Sequence, residues 1–142
     1  MKETASFFQV LADEARLKML WLLFNHDELC VCDFIEVLAI TQSKASRHLR
    51  ILYRAGLVTD RREGLWVYYA LRPLPYGLAK GHLDMLRAHL AKRPGAAQLL
   101  KRLSGWLRRK GGEAQCVGRP AARPAQIIDV AAPSSALPGG RQ

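Results

Sequence analysis

The stretch TQSKASRHLRILYRAGLV, residues 41–58, decides how the rest of the chain is read. Thr41 is a good N-cap, the run QSKASRHLRILYRA is helix-forming, and Gly56 supplies a stop. The predicted helix has two chemically different sides. Leu49 and Leu52 are its inward anchors. Gln42, Ser43, Lys44, Ser46, Arg47, His48 and Arg50 form a polar, cationic side, and no acid occurs between Glu36 and Asp60. Gln and Arg can pair with base edges in two hydrogen bonds, while Ser, Lys and His more often hold phosphates.

Outward toward the C-terminus, GLVTDRREGLWVYYALR changes period. Val58, Trp66, Val67, Tyr68 and Tyr69 favour strands, and Glu63-Gly64 offers a turn, so a β-hairpin is expected. Arg61 and Arg62, toward its tip, are expected to reach an adjacent groove or the DNA backbone. Outward toward the N-terminus, ELCVCDFIEVLA carries Phe34, Val37 and Leu38 at helical spacing. A first helix over 31–39, a short turn, a basic helix over 42–54 and a hairpin spell a winged helix-turn-helix, mostly α with a β-hairpin wing. Its second helix would enter the major groove. Basic residues alone would suit an ordinary solvated helix equally well; the order of elements favours double-stranded DNA as the partner.

Further helices are expected in ASFFQVLA, capped by Thr4, and in EARLKMLWLLFNH, capped by Asp13. Beyond the hairpin, YGLAKGHLDMLRAHLAK returns to helical spacing, Pro94-Gly95 breaks it, and the basic run AAQLLKRLSGWLRR follows. From Gly111 the composition turns to Gly, Pro, Ala, Arg and Ser with little periodicity. The chain thus divides into a DNA-binding domain over 1–92, a basic C-terminal helix over 93–110, and a tail over 111–142 expected to be disordered.

Lys and Arg number 22 against 12 Asp and Glu, a net charge of +10 that favours a polyanionic partner. The longest apolar run, MLWLLF, is too short to span a bilayer, so no membrane is expected. Three cysteines with no signal-peptide pattern do not suggest a disulfide framework, so a reducing, cytoplasmic setting is expected. No nucleophile-base pairing, phosphate loop or paired-carboxylate pattern suggests an enzyme or an organic cofactor.

LADEARLKMLWLL, ELCVCDF, TQSKASRHLRILYRAGLV and DRREGLWVYYAL, in this order and spacing, resemble the arsenic-repressor (ArsR/SmtB) family of bacterial metalloregulators. The resemblance covers roughly residues 5 to 75. It implies a homodimer, joined through the first helix and residues 76–90, that represses its own operon and leaves DNA when a metal or metalloid binds.

Cys30 and Cys32 are the candidate ligands. Soft thiolates select soft ions, and trivalent arsenic or antimony binds them in a pyramid. On a regular helix, residues two apart point some 200° from each other. Binding is therefore expected to distort the helix start and so bias the protein away from its DNA-competent state. Asp27, Glu28, Asp33 and Glu36, in a stretch with no Lys or Arg, are expected to raise the thiol pKa values.

The family's arsenite-sensing pattern commonly has a third cysteine three residues after the second; here Ile35 stands there. Cys116 is either the third sulfur or an incidental residue of the tail, and a small thiol or hydroxide is another candidate. His82 and His89 are read as a surface pair rather than a zinc site. The competing functions are a thiol-based redox sensor and a constitutive DNA-binding regulator with inert cysteines.

Overall fold

A computed structural model describes residues 1–112. Helices α1 (Lys2–Leu11) and α2 (Glu14–Phe24) lead into a two-residue strand, β1 (Leu29–Cys30). Helices α3 (Val31–Leu38) and α4 (Gln42–Arg54) follow, then strands β2 (Val58–Glu63) and β3 (Trp66–Leu71), and finally helices α5 (Leu78–Leu90) and α6 (Ala96–Gly112).

The boundaries have local causes. Asp13 caps α2, its carboxylate accepting from the Arg16 N–H at 3.1 Å. Thr41 caps α4, its hydroxyl accepting from the Lys44 N–H at 3.2 Å. Each side chain satisfies a backbone donor that the first helical turn leaves without a partner. Gly56 sits at φ +79, the left-handed conformation that closes α4, with the Leu57 N–H turning back to the Leu52 carbonyl at 3.1 Å. Between α3 and α4 the chain turns through Ala39, a non-glycine residue at φ 56. Helix α1 begins at Lys2, before the cap expected at Thr4, and α2 ends at Phe24.

The sheet runs β1-β3-β2, all antiparallel. Glu63 pairs with Trp66, so the hairpin turns at Gly64-Leu65, one residue beyond the Glu63-Gly64 turn expected; Gly64 adopts φ 62. β1 is an addition to the expected hairpin. Leu29 pairs with Tyr69 and Cys30 with Tyr68, which joins the wing to the start of α3.

The core lies between α2, α3, α4 and the sheet. Ala45, Leu49 and Leu52 of α4, at i, i+4 and i+7, are fully buried against Met19, Leu20, Leu22, Phe34, Val37 and Leu57. Trimming Leu49 or Leu52 to Ala would cost about 2–5 kcal/mol, enough to threaten a domain of this size. Helix α6 packs on α2 and α3, burying Leu103, while the Trp21 indole N–H donates to the Ala96 carbonyl at 3.0 Å. It extends through Gly112, two residues into the stretch expected to be unstructured.

Helix α1 buries no residue fully and α5 only Leu83. Phe7, Phe8 and His82 join these two helices edge to face, with ring centroids 5.0 Å apart between Phe8 and His82. Phe8, Tyr76, Leu78 and Met85 are exposed beside them, a run of apolar surface across α1 and α5. Among the described residues, no helix is long and apolar enough to cross a membrane.

Candidate nucleic-acid interface and thiol site

Gln42, Ser43, Lys44, Ser46, Arg47 and Arg50 are all exposed on α4, opposite the buried Ala45-Leu49-Leu52 stripe. His48 differs. Its Nδ1 lies 3.0 Å from an Arg16 Nη and 4.0 Å from an Asp13 carboxylate oxygen, in the notch between α4 and the start of α2. An arginine nitrogen only donates, so His48 Nδ1 accepts. Burial lowers the His48 pKa, and Arg16, Arg47 and Lys44 lower it further against the opposing pull of Asp13. His48 thus fastens α4 to α2 as a neutral ring, where the sequence suggested a phosphate contact.

Arg61 and Arg62 part company because successive strand residues point to opposite faces. Arg62 is exposed. Arg61 is turned inward: it donates to both Glu28 carboxylate oxygens, at 3.2 and 2.8 Å, and to Glu63 at 2.9 Å. Its guanidinium also lies 4.7 Å from the centre of the Tyr68 ring. The hydrogen bonds it donates to Glu28 raise its pKa above an already high value, so the charge is permanent. Arg61 ties the wing to the residue before β1, and its donors are directed at carboxylates rather than outward to a groove.

At the thiols the structure corrects the sequence argument. Cys30 is not helical. It ends β1, has φ −91 and ψ 165, and serves as the N-cap of α3, with Cys32 as the second residue of the helix. The extended backbone at Cys30 cancels the helical rotation that would separate the pair, and the two Sγ atoms lie 2.6 Å apart. Cys30 is buried and Cys32 partly exposed. No unwinding is needed to bring the sulfurs to one side of a shared atom. Bonds of roughly 2.3 Å to a soft ion leave two ligand sulfurs less than about 4 Å apart.

Asp33 organises this corner. One carboxylate oxygen accepts from the Cys30 N–H at 2.8 Å, and the other from the Trp106 indole N–H at 2.9 Å and from the Lys110 ammonium. Asp33 is 2% and Lys110 6% exposed, so both charges are buried together. Cys30, Cys32 and Asp33 place ligand-capable atoms within 4.8 Å of one another. Glu28 and Asp33 each hold a cationic partner, which offsets the acidic field the sequence implied. Trp106 and Lys110 had no signal in the sequence, lying 73 and 77 residues from Asp33. Asp33 had one: an acid at the third helical position after a non-helical residue is half of a capping box. Cys116 lies outside the described residues.

Helix, turn, exposed basic helix and three-stranded wing define a winged helix-turn-helix regulator. Residues 13–60 match the family described as bacterial regulatory protein, arsR family, so this segment is an arsR-family helix-turn-helix domain. It is 48% identical over 66 residues to the arsenic resistance transcriptional regulator ArsR1 of Pseudomonas putida, covering 46% of this chain and 52% of that one. It is 49% identical over 74 residues to the arsenical resistance operon repressor of Escherichia coli, covering 51% and 63% respectively. Both alignments span less than two thirds of those relatives' length. Among solved structures, HlyU from Vibrio cholerae is 30% identical with a TM-score of 0.55, covering 64% of this chain and 95% of that one. Family and relatives are regulators of transcription rather than enzymes.

Proposed function

We propose that this chain is a metalloid-responsive transcriptional repressor, which binds operator DNA as a homodimer and leaves it when trivalent arsenic or antimony engages Cys30 and Cys32. The observation that carries the reading is the meeting of the two sulfurs, 2.6 Å apart, where the wing sheet joins the helix-turn-helix. Likeness to arsenical resistance regulators over the same segment supports it.

Helix α4 lies in the major groove, with Gln42, Ser43, Lys44, Ser46, Arg47 and Arg50 toward bases and phosphates and Arg62 on the backbone. The exposed apolar surface of α1 and α5 joins the two copies, which sets the spacing of their recognition helices. Cys30 belongs to two elements at once. It pairs with Tyr68 in the wing and caps α3, and α3 leads through the Ala39 turn into α4. Spreading the two sulfurs from 2.6 Å to the wider separation that a shared soft ion imposes therefore moves the wing relative to the recognition helix. A ligand that favours the displaced arrangement lowers the population that fits DNA. Trivalent arsenic supplies a soft centre for the sulfurs; a third donor comes from Cys116, a small thiol or hydroxide.

An oxidisable dithiol is the second reading, favoured by the same close approach of the sulfurs. The test is fluorescence anisotropy on operator DNA selected by the protein from a random pool. Arsenite, antimonite, phenylarsine oxide and peroxide are titrated against wild type, Cys30→Ser, Cys32→Ser and Cys116→Ser. The repressor reading expects release by trivalent arsenicals and none in Cys30→Ser or Cys32→Ser. Release by peroxide alone identifies the redox sensor, and release by nothing identifies a constitutive binder. A normal arsenite response in Cys32→Ser refutes the two-thiol site.

A further inference from the structure

We propose that α6 is a working part of the thiol site, with Lys110 and Trp106 as positioning residues that set the affinity of Cys30 and Cys32 for a thiol-reactive ligand. The inference rests on the repressor reading for the identity of the ligand, but not for its geometry.

The argument starts from Asp33. A carboxylate this close to two thiols looks like a third donor. Its oxygens are already committed, one to the Cys30 amide and the other to Trp106 and Lys110. It is a brace rather than a ligand. A buried carboxylate with no counter-charge would draw water or a proton and give up its hold on the backbone. Lys110 supplies the counter-charge and Trp106 a second, directional donor. Both come from α6, which Trp21 pins at its other end through Ala96 and Leu103 fixes at its middle.

The chain of support thus runs from α6 to Asp33, from Asp33 to the Cys30 N–H, and from that backbone to the sulfur. Burying two charges is a poor way to gain stability, since well-packed apolar residues would serve as well or better. It is a good way to fix a geometry. Groups that orient ligands from behind commonly alter metal affinity by about 10–100-fold when removed.

The experiment measures binding of phenylarsine oxide directly, by isothermal titration calorimetry and by tryptophan emission, without DNA. The expected result is a roughly 10–100-fold weaker affinity in Lys110→Met, with most of it recovered in Lys110→Arg. Trp106→Phe keeps the ring but not the donor, and should weaken binding less while abolishing the ligand-dependent emission change that Trp66→Phe retains. Because Lys110→Met leaves Asp33 unpaired, the double variant Asp33→Asn/Lys110→Met provides a neutral, foldable pair; it should still bind weakly. Wild-type affinity in the double variant and in Trp106→Phe overturns the proposal. So does weakening that follows the urea midpoint and is not restored by arginine, since that describes a merely structural helix. If the wild type binds the arsenical but keeps its operator, the repressor reading fails while the affinities still decide the role of α6.

Discussion

Removing the guanidinium of Arg61 separates two roles that the sequence left superimposed. Arg61→Met keeps an unbranched aliphatic side chain and deletes the ion pairs to Glu28 and Glu63 together with the guanidinium's seat over the Tyr68 ring. The Glu28 side chain is 8% exposed, so it would be left nearly buried without its cation. Breaking a fully buried pair costs about 3–5 kcal/mol. Arg61 retains 28% exposure, which admits solvent and reduces the figure. The Glu63 pair is more open and adds little. A loss of about 2–3 kcal/mol results, equivalent to a fall in Tm of roughly 8–15 °C for a domain near this size. Urea unfolding followed by circular dichroism gives the first number and a thermal scan the second. Glu28→Gln/Arg61→Met should recover much of the loss, because it removes the stranded charge. An unchanged urea midpoint in Arg61→Met, together with a large loss of operator affinity, would refute the structural role and restore Arg61 to the DNA-contacting set.

Arg47→Ala should weaken operator binding by about 1–3 kcal/mol and relax discrimination against mismatched sites, read by anisotropy on specific and random duplexes. Ala39→Gly should raise stability by about 0.5–1 kcal/mol in urea, because glycine relieves the left-handed turn between α3 and α4 at some entropic cost in the unfolded chain. Acidification should weaken the fold in two windows. The lowered pKa of His48 means the unfolded chain takes up its proton first, so stability falls as pH drops below the ordinary histidine value of about 6.5. Asp13 is raised by burial but lowered on balance by the Arg16 N–H, by His48 once acid has protonated it, and by the charge of Arg16; its contribution is present above the ordinary value and lost as pH falls through the depressed one. His48→Asn should flatten the upper window in a series of thermal scans from pH 7 to 5.

The second helix of the helix-turn-helix and the hairpin were legible because their signals are local. Thr41 and Gly56 lie at the ends of α4 and fix them through contacts three to five residues long. The alternation of the wing likewise declares itself within one hairpin. Strand β1 could not be read this way: two residues carry no period, and their partners Tyr68 and Tyr69 lie far along the chain. That one omission made the thiols look separated. The inward turn of Arg61 and the capture of Asp33 by α6 were hidden for the same reason. Charge at a position is visible in a sequence, whereas which opposite charge it meets across 33 or 77 residues is not.

The two anchors of α6 bridge 75 and 77 residues of chain, whereas α4 and the β2-β3 hairpin are built from neighbours. Closing such long loops is the slow part of assembling a small domain. On a ribosome adding about 5–20 residues per second, Lys110 is made several seconds after Gly56. A newly made chain therefore acquires its recognition helix before the brace behind Cys30 is complete. Its thiols spend that interval attached to a helix-turn-helix with no α6 behind it.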